Sequence, residues 1–241
     1  YITLDGLPTH ILDTSDMNLE DALAQLNEYQ DAAKAESSAA YHKAPRPYLG
    51  VANPIINDLT KEWRTQMDVE QRVDLADALW ETDIFEARIA AAKLLTQARI
   101  KEDDDVWGLV ASWVDEFDSL AIADYACMAG QKRVVADPSR IDYVEAWVTS
   151  EHMWTRRAAL MITLPWTKQN HPKEQDMAIR QRVLGWTATL VPDRAWFVQK
   201  AIAGWLLELS KHDPETVRKF LEEHGATMKP FAAKEAAKLL K

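Results

Sequence analysis

Apolar residues recur every three or four positions along most of the chain, which is the spacing of helices that bury one face. Only 7 of the 241 residues are Gly, and the Pro residues fall mostly at the borders of these segments. No stretch shows the strict alternation that is typical of a strand. Asp137-Pro138 and Asp213-Pro214 each match a helix cap followed by proline at the first helical position. The pattern therefore predicts an all-α protein.

The same pattern predicts where the helices lie. We expect the first helix to begin near Asn18 and to run to about residue 36, after an irregular arm formed by residues 1–18. Asp68 is a candidate cap for a later helix, and the acidic run 101–105 is interpreted as another helix start. Helices are also expected at about 174–190, 194–210, 214–224 and 228–240. Residues 19–241 are expected to form a single HEAT-like-repeat domain.

Five helices share a format in which a charged residue lies beside small apolar residues. Their reference positions are 88, 124, 157, 200 and 234, which are 36, 33, 43 and 34 residues apart, and the longest interval contains an expected loop at 168–173. Repeats of about 35–45 residues with two helices each are typical of HEAT-like solenoids, in which one helix of each repeat lines a concave wall. The sequence therefore predicts an all-α HEAT-like helical-repeat solenoid, an α-α superhelix with a concave basic cleft. The side chains that would line this cleft are Arg88, Asp124, Arg157, Lys200 and Lys234.

Four of these five side chains are basic, which suits contacts to the phosphates of a duplex backbone. The alternative is that they form the hydrogen bonds that hold the repeats together. Asp124 is the exception, because a carboxylate repels phosphate and instead suits the stabilisation of positive charge or the positioning of a water molecule. Asp124 also interrupts an apolar helical stripe, where an isolated carboxylate would cost several kcal/mol. A cap or an ion pair is therefore the alternative interpretation of Asp124.

The net charge of −10 argues at first against a nucleic-acid partner, because phosphate contacts supply most of the affinity of such proteins. Residues 1–128, however, hold 10 Lys and Arg against 25 Asp and Glu, whereas residues 129–241 hold 18 against 13. The C-terminal half is thus positive by five charges. This asymmetry is compatible with a basic face in that half and a charged partner.

The single cysteine excludes an internal disulfide framework and fits a reducing compartment. No apolar run approaches the roughly 18 residues of a membrane span, and the first residues do not have the pattern of a secretory signal. We therefore expect a cytoplasmic protein with no membrane partner. Cys127 is interpreted as a buried core thiol.

A set of short motifs occurs in a fixed order along residues 19–241. They are Gly50-Val51-x-x-Pro54, Leu79-Trp80 with Glu86-x-Arg88, the segment Asp118 to Asp124, Trp154-x-x-Arg157-x-Ala159, Phe197-x-Gln199-Lys200-Ala201-Ile202 with Trp205, Asp213-Pro214 with Val217-x-x-Phe220-Leu221, and Glu235-Ala236. This order resembles the DNA alkylation repair family, the AlkD-like, HEAT-like-repeat alkylpurine DNA glycosylases. The block that begins at Phe197 is the most specific piece of the resemblance.

The resemblance implies hydrolysis of the N-glycosidic bond of cationic N3- or N7-alkylated purines in double-stranded DNA. Such a base is already a good leaving group, so the enzyme need not protonate it. A carboxylate and electron-rich ring faces can stabilise the oxocarbenium-like sugar and the departing cationic base. The resemblance also implies action without a deep base pocket, which departs from the usual extrusion of the target base.

Carried over residue by residue, the catalytic carboxylate of the family falls on Asp124 and the phosphate-contacting arginine on Arg157. The further expected DNA contacts are Arg156, Lys200, Arg88 and Lys234, and the expected cleft aromatics are Trp154, Trp205 and Tyr125. Two aromatic positions of the family are occupied by Leu120 and Gly204. Trp205 lies one residue, or about 100° of helix rotation, from the second of these positions.

These two departures leave two hypotheses. The first is a DNA glycosylase with Asp124 as the electrostatic and water-positioning residue. The alternative is a non-catalytic HEAT-repeat relative that binds DNA or acts as a protein scaffold. The six His show no ligand spacing, and the chain has no phosphate-loop or dinucleotide-binding glycine pattern. We therefore expect no metal and no nucleotide cofactor, and we expect a monomer.

Overall fold

The computed structural model describes residues 17–241, so nearly all of the expected irregular arm at 1–18 lies outside the described residues. Within the described part, all regular structure is helical, and the predicted all-α class is confirmed. The α-helices are α1 Leu19–Glu28, α2 Ala32–His42, α3 Asn53–Thr65, α4 Val69–Glu81, α5 Phe85–Leu95, α6 Asp104–Trp113, α7 Leu120–Ala136, α8 Ile141–Glu145, α9 Met153–Ile162, α10 Glu174–Leu190, α11 Trp196–Ser210, α12 Pro214–His224 and α13 Pro230–Ala236. Four short 3₁₀ segments join some of them. None of these helices is long and apolar enough to cross a membrane.

Local capping chemistry explains several helix borders. Asp68 accepts a hydrogen bond from the backbone N–H of Gln71, whose side chain accepts one from the backbone N–H of Asp68, and α4 follows directly. Asp213 caps α12 by accepting hydrogen bonds from the backbone N–H and the hydroxyl of Thr216, with Pro214 in the first turn. The single first helix that we expected is two helices. It breaks before Asp31, which caps α2 through the backbone N–H of Lys34.

Alternate helices stack directly on one another in chain order. The helices α3, α5, α7, α9, α11 and α13 each contact the next, and we call this set the odd layer. The helices α4, α6, α10 and α12 pack against one side of it. This stack of two-helix units is the predicted helical-repeat solenoid.

Small side chains allow the odd layer to pack closely. In α5, Ala87, Ala90, Ala91 and Ala92 are all fully buried. In α7, Gly130 faces the side chain of Ile162 in α9, and a Cβ at Gly130 would overlap with it. Because the helices approach this closely, Asp124 on α7 lies beside Arg157 on α9.

A buried carboxylate connects the loop before α3 to α5. Glu86 is almost fully buried, and its two oxygens accept hydrogen bonds from the backbone N–H groups of Leu49 and Gly50 at 2.9 and 2.7 Å. Gly50 has φ = 80°, and a side chain there would overlap with the backbone of α2. The loop and the start of α2 are thus fixed by contacts that a side chain at position 50 would remove.

The acidic run at 101–105 does begin a helix, α6, but Asp103 has a second role. Its carboxylate forms ion pairs with Arg133 and with Arg140, the latter at 2.7 Å. Arg133 is fully buried and also donates to the carbonyl oxygens of Gln97 and Ala98. Hydrogen bonds from Arg140 and the charges of both arginines hold the pKa of Asp103 below its usual value of 3.8.

Replacing Asp103 with Asn is expected to lower the free energy of unfolding by about 3 kcal/mol at pH 7, because it leaves the buried guanidinium of Arg133 without a counter-ion. The pKa of Asp103 is lower in the folded state, so its contribution is present above pH 3.8 and is lost as the pH falls further. Urea unfolding from pH 7 to pH 3 should show a constant difference from wild type down to about pH 4, then a shrinking one. Asp105→Asn, at an exposed position of the same run, is the control. A difference between Asp103→Asn and wild type that does not change with pH would contradict this assignment.

Candidate functional site

Three odd-layer helices form a cleft of about 430 Å³ around Asp124. Asp124 on α7, Arg157 on α9 and Lys200 on α11 all line it, as the repeat spacing predicted for these three positions. The helix α2 contributes Tyr41 to the same cleft, although no residue of α2 is fully buried.

The centre of the cleft is an ion pair between Asp124 and Arg157. Nη2 of Arg157 lies 2.6 Å from Oδ1 of Asp124, while 38% of the Asp124 side chain and only 6% of the Arg157 side chain are exposed. The guanidinium also lies 5.5 Å from the ring centroid of Trp154, within the range of a cation–π interaction. Oδ2 of Asp124 makes no hydrogen bond within residues 17–241. Asp124 is therefore ion-paired, as one interpretation held, and it also reaches solvent.

Beneath this pair lies Cys127, which is fully buried. Burial raises the pKa of its thiol to about 12, so the thiol stays protonated at neutral pH and is not a nucleophile. Within the described residues, no cluster of three or more His, Cys, Asp or Glu side chains could hold a metal ion.

Arg157 is buried against Asp124, and two more of the expected DNA contacts are also engaged inside the protein. Arg88 is buried, donates to the carbonyl oxygen of Trp80 at 3.1 Å, and forms an ion pair with Glu116 at 3.3 Å. Arg156 pairs with Asp193 at 2.7 Å and donates to two backbone carbonyl oxygens. These guanidinium groups bond within and between repeats, which was the alternative interpretation, and the structure does not present them to a ligand.

The other two expected basic contacts remain accessible. Lys200 is about half exposed, and its Nζ lies 2.8 Å from both carboxylate oxygens of Glu235 on α13. Lys234, one residue earlier on α13, is exposed. Of the expected cations, Arg157 and Lys200 thus share the cleft with Asp124, and Lys234 lies on the next helix of the same layer.

The three expected aromatics lie in three different environments. Trp154 is half-buried and packs on Phe197, with 4.7 Å between the ring centroids. Trp205 is fully buried, and its indole N–H has no hydrogen-bond partner in the described part of the chain. Tyr125 points away from this cleft into neighbouring ones. Of the three, only Trp154 touches the Asp124–Arg157 pair, through Arg157.

Leu120 and Gly204 occupy the two aromatic positions of the family, and the orientation of Gly204 explains why Trp205 is buried. Both Leu120 and Gly204 line the cleft, and a Cβ at Gly204 would meet no atom within 4 Å. Because α11 is a continuous helix, the next residue, Trp205, is rotated by about 100°. It also lines the cleft, but it is fully buried in the cleft wall. The cleft therefore has no aromatic ring at either Leu120 or Gly204.

Sequence reasoning did not single out the exposed rings at this cleft. Trp196 is 51% exposed and stacks on Phe231 of α13 at 5.6 Å, and Tyr41 is 70% exposed. Trp196 begins α11, where the Trp196-Phe197 pair precedes the Gln-Lys-Ala-Ile block, and this adjacency was the available signal. Tyr41 carried no such signal, because its position depends on how α2 crosses the odd layer.

A family profile and two solved structures match this chain over most of its length. The family profile described as DNA alkylation repair enzyme matches residues 22–240. A structure titled "Predicted DNA alkylation repair enzyme from Enterococcus faecalis" superposes with a TM-score of 0.73 and 21% identity, over 88% of this chain and 96% of that one. The crystal structure of AlkD2 from Streptococcus mutans superposes with a TM-score of 0.61 and 19% identity, over 79% and 91%. A comparison with curated proteins gave no match.

The geometry at Gly204 predicts opposite effects for two Gly→Ala substitutions. Gly204→Ala should raise the free energy of unfolding by about 0.5–1 kcal/mol, because it improves helix propensity and its methyl group enters open space. Gly130→Ala, the matched control in α7, should destabilise by about 1–3 kcal/mol because its methyl group overlaps with Ile162. Urea unfolding of both variants measures the effects. Destabilisation by Gly204→Ala would show that this position does not face the cleft.

Proposed function

This chain belongs to the DNA alkylation repair enzyme family, and from that premise we propose that it is a DNA glycosylase for cationic N3- or N7-alkylated purines in double-stranded DNA. One observation carries the proposal. The carboxylate of Asp124 is held by Arg157 at the floor of an open cleft, with more than a third of its surface still exposed. This access leaves the carboxylate able to contact a ligand in the cleft.

The arrangement suits the charge that develops during the reaction. As the bond between C1′ and the base nitrogen breaks, its electron pair leaves with the base and neutralises the cationic purine. Positive charge then collects on the sugar, where the carboxylate of Asp124 stabilises it. Water adds to C1′ and loses a proton, which leaves an abasic sugar and a neutral alkylated base. Oδ2 of Asp124 is the atom available to orient that water, because Oδ1 is bonded to Arg157.

The role of Arg157 is to position the carboxylate of Asp124. Its guanidinium is buried between the carboxylate and the ring of Trp154, so it fixes the direction of the carboxylate without occupying the cleft. Lys200, on the next helix, supplies a half-exposed cation for a phosphate next to the damaged nucleotide. The exposed ring of Trp196 offers an electron-rich face to a cationic base.

A second candidate function rests on the two cleft positions that lack an aromatic ring. Leu120 and Gly204 give the cleft no ring face at the places where they line it. A protein with this cleft could bind a duplex through its cations and leave the glycosidic bond intact. In that case, duplex binding would depend on salt and no base would be released.

The test is release of 7-methylguanine from a methylated duplex under single-turnover conditions. Wild type should release the base, and Asp124→Asn should slow release by at least about 100-fold, because the amide removes the negative charge. Asp77→Asn, at an exposed position of α4, is the control and should behave as wild type. Thermal unfolding of all three proteins would show that each is folded.

Two outcomes would contradict the proposal. If wild type binds the duplex but releases no base, the non-catalytic candidate replaces it. Equal release by wild type and Asp124→Asn would remove the catalytic role of Asp124.

A further inference from the structure

A second cleft, of about 300 Å³, opens between α3, α5 and α7. Three of its lining residues are basic, namely Lys61 and Arg64 from α3 and Lys93 from α5, whereas Asp58 is its one acid. Tyr125 also lines it and directly follows Asp124 on α7. The two clefts therefore flank the same helix of the odd layer.

Two of the cations are held in position by neutral groups. Nζ of Lys93 lies 4.0 Å from the ring centroid of Tyr125 and donates to Oδ1 of Asn57 at 2.5 Å. Nη1 of Arg64 donates to the carbonyl oxygen of Thr96 at 3.2 Å, which anchors the guanidinium at the end of α5. Arg64 is left with further N–H donors for a ligand.

Arg64 differs from most other arginines of the protein because it forms no ion pair within the described residues. Arg46, Arg88, Arg133, Arg140, Arg156, Arg157, Arg182 and Arg218 each form an ion pair with a carboxylate. Within residues 17–241, Lys61, Arg64 and Lys93 form none. Lysines without an ion pair are common in this chain, so the distinctive feature is that three such cations line one cleft beside a single acid.

The charges built into the cleft do not balance. The C-terminal ends of α3 and α5 are each equivalent to about half a negative charge, and Asp58 adds one more, so together they offset only part of three positive charges. Burial also makes positive charge costly in and beside this cleft. Burial and the nearby charge of Arg64 lower the pKa of Arg72, and burial lowers the pKa of Lys93. An anion bound in the cleft would neutralise the remaining positive charge.

We propose that this cleft binds a backbone phosphate of duplex DNA and so anchors the duplex to one side of Asp124. The choice of DNA over another anion rests on the proposed function, whereas the anion site itself rests on the three cations. Lys61, Arg64 and Lys93 come from two successive helices of the layer that also presents Asp124, Arg157 and Lys200. A duplex that lies along this layer would cross both clefts. The small volume of the cleft suits a single phosphate group.

The decisive measurement is the salt dependence of binding to an undamaged duplex. Each phosphate contact contributes about −0.9 to the slope of log K against log salt concentration. The double variant Lys61→Gln/Arg64→Gln should therefore reduce the magnitude of the slope by about 0.9 and weaken binding about 10-fold at low salt. Lys219→Gln/Lys173→Gln, with both lysines exposed and Lys219 on α12, is the matched control and should leave the slope unchanged. Fluorescence anisotropy measures both quantities.

Asp58 offers a test with the opposite sign. Asp58→Asn removes the one carboxylate that lines the cleft, so it should tighten duplex binding several-fold at low salt. Asp74→Asn, at an exposed position of α4, should have little effect. A loss of folding cannot produce tighter binding, so this result separates phosphate recognition from a structural role.

The outcomes distinguish this proposal from the proposed function. An unchanged slope and affinity in Lys61→Gln/Arg64→Gln would overturn the phosphate site, even if wild type releases 7-methylguanine. A reduced slope without any base release would support the phosphate site and reject the glycosylase. No duplex binding by wild type at low salt would overturn both, and would favour an acidic segment of a protein as the ligand of this cleft.

Discussion

Close packing between successive odd-layer helices is the constraint on which the rest of this protein depends. The buried alanines of α5 and the contact of Gly130 with Ile162 leave no room for larger side chains between the helices. Each helix is thereby fixed relative to the next in both height and rotation. That fixed rotation brings Asp124 within 2.6 Å of Arg157, although the two residues are 33 positions apart in the chain. The site is therefore a product of the stack and needs no dedicated loop.

Ion pairs between repeats engage many of the charged residues of this acidic chain. Most of its arginines neutralise carboxylates from neighbouring repeats, for example Arg88 with Glu116 and Arg156 with Asp193. Such pairs satisfy buried guanidinium groups and do not contribute to an external field. The cleft of unpaired cations lies at Lys61, Arg64 and Lys93, in the half of the chain whose total charge is the more negative. The net charge of a segment therefore says little about the charge at a particular surface.

Much of the architecture was accessible from the sequence, because it depends on local signals. Asp68 and Asp213 mark the start of their helices through interactions within three residues, and the spacing of about 35 residues indicated the repeats. The break before Asp31 was missed, because the backbone N–H of Asp31 bonds to Leu49, which a local pattern does not contain.

Partners that are distant in sequence explain what was not predicted at the site. Whether Arg88 or Lys200 faces a ligand depends on where Glu116 and Glu235 lie after folding, and the repeat register alone does not contain that information. Trp205 was different. One residue of helix rotation was enough to argue that it could not simply take the role of the residue before it, and the structure places it in the core. The cations between α3 and α5 share no motif, so only the folded chain brings them together.

The helix α2 crosses the open side of the odd layer without burying any of its residues completely, yet it brings Tyr41 to the Asp124 cleft. The helix α2 thus helps to shape the cleft without carrying the core. Changes of length or sequence in α2 can alter what the cleft admits while the stack stays intact. Relatives that share this scaffold are free to diverge in the shape of this cleft by altering a single, loosely packed segment.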